Sequence, residues 1–249
     1  MHILSIANSF GQDAQAYLHQ IAASASVDLE AVNLYIGGCN LETHHQNWQE
    51  NRADYLLEIN GENTEQLISI QDALAMREWD VITLQQASSL SGIPETYEPF
   101  LSVLLEAVRE HCPDAKLYFH ETWAYEHDAE HEGFANYDRD QGLMYERIAA
   151  AARLAAARHD LTIIPAGNLI QHMREDARYD VKRGGRSLCR DGFHLDLLYG
   201  RYAVAALWFR ELTGHPLTAA SFVPTVDDET TDLNWIEDIK TLVDNFDLA

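Results

Sequence analysis

The sequence predicts an α/β chain, a three-layer αβα sandwich around a mostly parallel five-stranded sheet. Two observations predict this fold class. Short apolar runs alternate with segments of helical period along the 249 residues, the pattern of strand-helix-strand units with helices on both faces of a sheet. Each run also ends in a small or polar cluster, and in a parallel sheet those ends share one edge, where α/β proteins place their ligands.

In order, the first run (Ile3, Leu4, Ile6) is a strand that turns sharply at Ala7-Asn8-Ser9. Phe10, Ala14, Tyr17, Leu18 and Ile21 then recur at helical spacing. A second strand over 28–35 runs into Ile36-Gly37-Gly38-Cys39, where glycines let backbone N–H groups approach a ligand. Residues 64–79 have helical period, 80–85 read as the third strand, and a helix over 97–111 stops at Pro113-Asp114. The fourth strand is 116–120. The aromatic and acidic stretch 121–136 lacks a period and has the character of an active-site loop. A long alanine-rich helix over 138–159, a fifth strand over 161–164 and a helix to about 178 follow, and Arg190-Asp191-Gly192-Phe193-His194 precedes a helix over 199–212. With no repeat and no linker, a single domain over 1–249 is expected, its motifs within 1–213 and a packed extension over 214–249.

Forty acidic against seventeen basic side chains give a formal charge of −23. Nucleic acid and anionic membrane surfaces are poor partners for such a chain, and a neutral small molecule or carbohydrate suits it better. The opening apolar run is too short for a signal peptide, and no run reaches the length of a membrane span. The three cysteines, Cys39, Cys112 and Cys189, have no metal-like spacing, so a reduced, cytoplasmic setting is expected. His44-His45 and the trio His120, His127 and His131 lack a His-Glu-x-x-His arrangement and read as ordinary loop histidines, so neither a metal nor a cofactor is expected.

Ser9 sits where a nucleophile would, at the end of a strand and the start of a helix. Asp191 and His194 are three apart, a spacing that lets a carboxylate hold one imidazole nitrogen while the other takes a proton from a serine hydroxyl. Either motif alone has a plain structural alternative, a helix cap in both cases. Trp123 and Tyr125 offer either a flat surface for a sugar or anchors for their loop.

Taken together, Ala7-Asn8-Ser9, Ile36-Gly37-Gly38, Leu84-Gln85-Gln86 and Asp191-x-x-His194 resemble, in order and spacing, the four blocks of the SGNH or GDSL-like serine hydrolases. The fuller set, with Asp13, Leu-Tyr-Ile-Gly-Gly-Cys, Thr-Trp-Ala-Tyr and Arg-Asp-Gly-Phe-His-Leu, looks like a bacterial branch of that superfamily long described only as a domain of unknown function. The resemblance implies a flavodoxin-like layered fold and a serine esterase with Ser9, His194 and Asp191 as its triad. It implies an oxyanion hole from the Ser9 and Gly38 N–H groups. The family's third-block asparagine is missing, so its role falls to the Gln86 amide, with Gln85 as the alternative donor or a substrate contact. Relatives imply small acyl esters, above all acetyl groups on carbohydrate, as substrates. The altered first and third blocks keep open a catalytically degenerate carbohydrate-binding protein, and the Ser9 turn a flavodoxin-like phosphate or nucleotide binder.

Overall fold

A computed structural model describes residues 1–227 and 229–246. Its elements are β1 (His2–Ala7), α1 (Ser9–Gln15), α2 (Leu18–Ser24), β2 (Glu30–Tyr35), α3 (Leu41–Glu50), β3 (Tyr55–Ile59), β4 (Glu62–Ile68), α4 (Ile70–Ala75), β5 (Val81–Leu84), α5 (Phe100–His111), β6 (Lys116–His120), α6 (Gln141–His159), β7 (Thr162–Ile164), α7 (Ala166–Met173), α8 (Tyr199–Thr213) and α9 (Leu233–Asp244). The sheet has seven strands in the order β4-β3-β2-β1-β5-β6-β7. The five expected strands form its parallel part, β2-β1-β5-β6-β7. They follow the doubly wound order in which the first strand lies at the topological switch point.

Two strands were not expected. β3 and β4 form an antiparallel hairpin added to the outer side of β2. Its turn is Asn60-Gly61, both at positive φ (54° and 83°), the geometry that a two-residue hairpin demands. The helix expected over 64–79 is therefore the second hairpin strand followed by the short α4. The helix after Ser9 is likewise two, with Tyr17 between α1 and α2.

Side-chain alternation sends Ile3, Ala31 and Val81 to one face of the sheet and Leu4, Val32 and Ile82 to the other, and each face carries its own apolar cluster. On the first face lies α8, in which Tyr202 through Phe209 are all fully buried. A helix apolar on every side must be enclosed, and α1, α2, α7 and α9 surround it. Burial of side chains such as Trp208 and Phe209 contributes roughly 1.5–3 kcal/mol each, so the start of α8 is a firm anchor for the segment before it. α9 lies where the extension was expected to pack, adding Ile236, Ile239 and Val243 to this cluster. Of the expected extension, residues 228 and 247–249 lie outside the described residues.

Candidate active site

β1 is a central strand, and the chain leaves it through a tight turn at Asn8, the extended N-cap of α1 (φ −145°, ψ −157°). The Asn8 side chain is 1% exposed and ties three elements together. Its Oδ1 accepts the Phe10 N–H at 2.9 Å and the Gln85 amide at 2.7 Å, and its Nδ2 donates to the Cys39 carbonyl at 2.9 Å. The Ser9 turn, the glycine turn after β2 and the end of β5 are thereby fixed to one another. Helix α1 lies almost on the sheet because residue 11 is glycine: a Cβ there would stand 2.5 Å from the Ala7 Cβ. Gly38 has φ +66°, a conformation open to glycine, and its N–H, like that of Ser9, has no acceptor among the described residues.

Asp191 and His194 lie in a short loop closed by an antiparallel bridge between Cys189 and Leu195. Asp191 Oδ1 accepts the backbone N–H groups of His194 (2.7 Å) and Phe193 (3.2 Å), and its Oδ2 lies 2.7 Å from His194 Nδ1. A carboxylate only accepts, so Nδ1 carries the proton and Nε2 is left as the acceptor for Ser9 Oγ, 2.8 Å away. Partial burial raises the Asp191 pKa, but these hydrogen bonds from the His194 ring and backbone and from Phe193 outweigh it, holding the carboxyl below its ordinary range.

The loop is pinned to α1 by Asp13, one turn beyond Ser9. Its fully buried carboxylate accepts the Leu195 N–H at 2.8 Å, Arg190 Nη1 at 3.1 Å to each oxygen, and Arg201 Nε at 2.8 Å. Arg190 also donates to the Leu195 carbonyl. Asp13 thus binds the residues on either side of the Asp191-to-His194 segment.

The structure brings together Ser9, His194, Asp191 and Gly38, and it corrects four other expectations. Gln86 does not reach the site: its amide donates to Thr96 O (3.0 Å) and Oγ1 (3.1 Å), and its carbonyl accepts the N–H groups of Leu41 and Ala87. Gln85 points to the opposite face, as strand parity requires, but it is spent on Asn8 and is 1% exposed, so it contacts no substrate. Trp123 and Tyr125 are fully buried and offer no stacking surface. Trp123 stacks on Phe10 at 4.2 Å and donates to the Phe193 carbonyl, while the Tyr125 hydroxyl meets Ser88 Oγ at 2.8 Å. They anchor the loop after β6, whose first residues (121–126) are all buried.

Above Ser9 lies a recess of about 190 Å³, lined among others by Gly38, Tyr35, Ser88, His131, Phe193 and His194. His44 and His120, by contrast, are core residues at 0% exposure. Among the described residues no group of three or more His, Cys, Asp or Glu side chains is placed to hold a metal ion, and no helix is long and apolar enough to cross a membrane. The three cysteines are buried and unpaired.

Residues 2–241 match the model of DUF4886, a domain of unknown function. The crystal structure of a DUF4886 family protein from Bacteroides uniformis is 38% identical over 98% of this chain and 93% of its own, with a TM-score of 0.88. A candidate SGNH hydrolase from Slackia heliotrinireducens is 21% identical over 85% of this chain and 98% of its own, with a TM-score of 0.58. An acetyl xylan esterase is 12% identical over 84% and 98%, with a TM-score of 0.56. No curated protein is similar enough to count as a match. The doubly wound sheet is thus shared with these structures, and the chain belongs to the DUF4886 family, on the fold of the SGNH hydrolases.

Proposed function

We propose that this protein is a serine esterase that removes small acyl groups, acetyl above all, from carbohydrate. The observation that carries the reading is the unbroken array Asp191 to His194 to Ser9, at 2.7 and 2.8 Å, at the switch point of the sheet. A structural cap or an inert binding site has no need of a serine hydroxyl aimed at an imidazole whose other nitrogen is held by a carboxylate.

Ser9 Oγ attacks the ester carbonyl as His194 Nε2 takes its proton. Asp191 keeps the imidazole in the correct tautomer and stabilises the imidazolium. The carbonyl oxygen, now an anion, is received by the Ser9 and Gly38 N–H groups, and a donor so placed lowers the barrier by about 3 kcal/mol. His194 then protonates the leaving alcohol, and water repeats the sequence on the acyl-enzyme to release the acid. With both glutamine amides engaged elsewhere, the hole is built from backbone. A recess of about 190 Å³ is below the roughly 300 Å³ at which pockets begin to enclose whole drug-sized ligands, which suits a short acyl group with only the part of the alcohol half nearest the ester inside. A fold shared with an acetyl xylan esterase supports the same choice.

A fluorophosphonate that labels the wild type but not Ser9→Ala tests the nucleophile. The same change is expected to lower p-nitrophenyl acetate turnover by about 10⁴-fold or more without loss of thermal stability. Turnover surviving in Ser9→Ala, or a wild type that takes no label and cleaves no acetyl ester, overturns the reading.

A further inference from the structure

The recess over Ser9 contains a second imidazole that the triad does not use. His131 precedes a 3₁₀ turn (Glu132–Tyr137) in the segment after β6, and its ring lines the same recess as Ser9, Gly38 and His194. Its Nδ1 accepts the Gly133 N–H at 3.0 Å. A nitrogen that accepts carries no proton, so the neutral ring has its proton on Nε2, at the opposite edge. That Nε2–H has no acceptor among the described residues. Partial burial first, and the neighbouring His194 second, push the His131 pKa below the ordinary histidine value and favour this neutral form.

The ring is held in place. Phe193 lies edge-on to it at 4.9 Å and Tyr125 at 5.0 Å between centroids. Gly133 presses on Ser89 so closely that a Cβ there would come within 2.3 Å of the serine Cβ, fixing the loop against the end of β5. Phe193 in turn lies 4.2 Å from the His194 ring, so both imidazoles pack against one phenyl ring. His131 makes no hydrogen bond to Ser9 or His194 among the described residues, so it stands outside their proton-transfer array. In the sequence of steps above His194 hands its proton to the leaving alcohol, which must lie on the imidazole side of Ser9. His131 shares with His194 both the contact to Phe193 and the lining of the recess.

We propose that His131 binds the alcohol half of the substrate, donating its Nε2–H to a hydroxyl or ring oxygen near the scissile ester, and so selects acyl esters of sugars and polyols over those of plain alkanols. This inference rests on the esterase reading and adds to it the substrate feature that is read. A neutral donor fits an uncharged oxygen, in keeping with a chain of formal charge −23 that disfavours anionic substrates.

The test compares kcat/KM for a methyl glycoside monoacetate, with a free hydroxyl beside the ester, and for ethyl acetate. Wild type, His131→Phe and His131→Gln are assayed, with thermal melts to confirm that each is folded. His131→Phe keeps an aromatic ring against Phe193 and Tyr125 but has no donor, and the sugar-to-ethyl ratio is expected to fall about tenfold, the worth of one neutral hydrogen bond. His131→Gln retains an N–H and is expected to recover part of the ratio. An unchanged ratio in His131→Phe, or a fall as deep in His131→Gln, overturns the proposal. If the wild type takes the phosphonate label at Ser9 yet shows either result, the esterase reading stands and only this inference falls. Absence of label and turnover removes both.

Discussion

Asp13→Asn probes the coupling between α1, which carries Ser9, and the loop that carries Asp191 and His194. The carboxylate is fully buried and receives Arg190, Arg201 and the Leu195 N–H. Removing one partner from a buried ion pair typically costs about 3–5 kcal/mol, because the remaining charge is left uncompensated. Here the arginine side chains keep 32% and 19% of their exposure and can partly rehydrate, and an amide oxygen still serves Leu195, so roughly 2–4 kcal/mol is expected. That is a large share of the roughly 5–15 kcal/mol by which domains are stable. Equilibrium urea unfolding measures it, with Asp176→Asn as the control: Asp176 pairs with Arg178 at 39% and 32% exposure, and such pairs contribute about 1 kcal/mol or less. A second readout separates positioning from bulk stability. Asp13 touches no substrate, but a misplacement of His194 by about 1 Å costs on the order of 100-fold in rate. In cold, low-denaturant assays where the variant is folded, kcat for p-nitrophenyl acetate is expected to fall 10- to 100-fold, an order-of-magnitude figure, with KM within about threefold. A loss of stability no larger than that of Asp176→Asn, together with an unchanged kcat, refutes the coupling.

Two further predictions concern protonation. Asp191→Asn presents a side-chain amide that can donate to His194 Nδ1, which moves the ring proton to Nε2 and removes the acceptor for Ser9; kcat is expected to fall by about 10³–10⁴ with little change in KM, measured on p-nitrophenyl acetate. His120 is buried neutral, its Nδ1 accepting Trp208 Nε1–H at 3.1 Å, and burial pushes its pKa down to about 3. The unfolded chain binds that proton near its ordinary value of 6.5, so between these limits the unfolded state holds more protons and stability falls as pH falls. Between pH 7 and 4.5 this group alone removes about 2–3 kcal/mol, and His120→Gln, which can still accept from Trp208, is expected to lose correspondingly less in urea unfolding at the two pH values. Equal losses in both proteins refute the assignment.

The parallel part of the sheet was legible because its five strands are apolar runs that end in polar turns, and the burial of β1 and β5 on both faces explains why those runs do not alternate. The β3-β4 hairpin was hidden for the opposite reason. It lies at the sheet edge, β4 is polar and mostly exposed, and Thr64, Leu67 and Ile68 mimic a helical period. The Asn60-Gly61 pair was the available signal, since that dipeptide marks a two-residue hairpin turn more strongly than any periodicity nearby. The Asp191–His194 pair was legible from spacing because the two share one loop and their geometry is local, whereas Ser9 joins them from 185 positions away. Asp13 entered only as part of the family resemblance, with no role, because its partners Arg190 and Arg201 are more than 170 positions away. Trp123 and Tyr125 could not be placed, because an aromatic residue after a strand is equally at home under a loop or on top of one, and only packing against Phe10 and Ser88 decides.

The altered first block, Ala7-Asn8-Ser9, has a local cause at Asn8. Asn8 must accept at Oδ1 from Phe10 and Gln85 and also donate from Nδ2 to the Cys39 carbonyl, all within a site that is 1% exposed. An aspartate could make the first two bonds but would set a carboxylate oxygen against the Cys39 carbonyl, two acceptors without a proton between them. Such a buried repulsion would push apart the turns that carry the Ser9 and Gly38 N–H groups. The third block departs for a connected reason. Gln85 is the donor that completes Asn8, and Gln86 occupies its own amide with Thr96 and its carbonyl with Leu41, the first residue of α3. Both glutamines therefore brace the turns around Ser9 and Gly38 without offering the recess a donor. The position that meets the recess after them is Ala87, whose methyl group brings no hydrogen bond. On the esterase reading, the task of receiving negative charge is then left to the Ser9 and Gly38 main-chain N–H groups, on turns that the Asn8 side chain ties together.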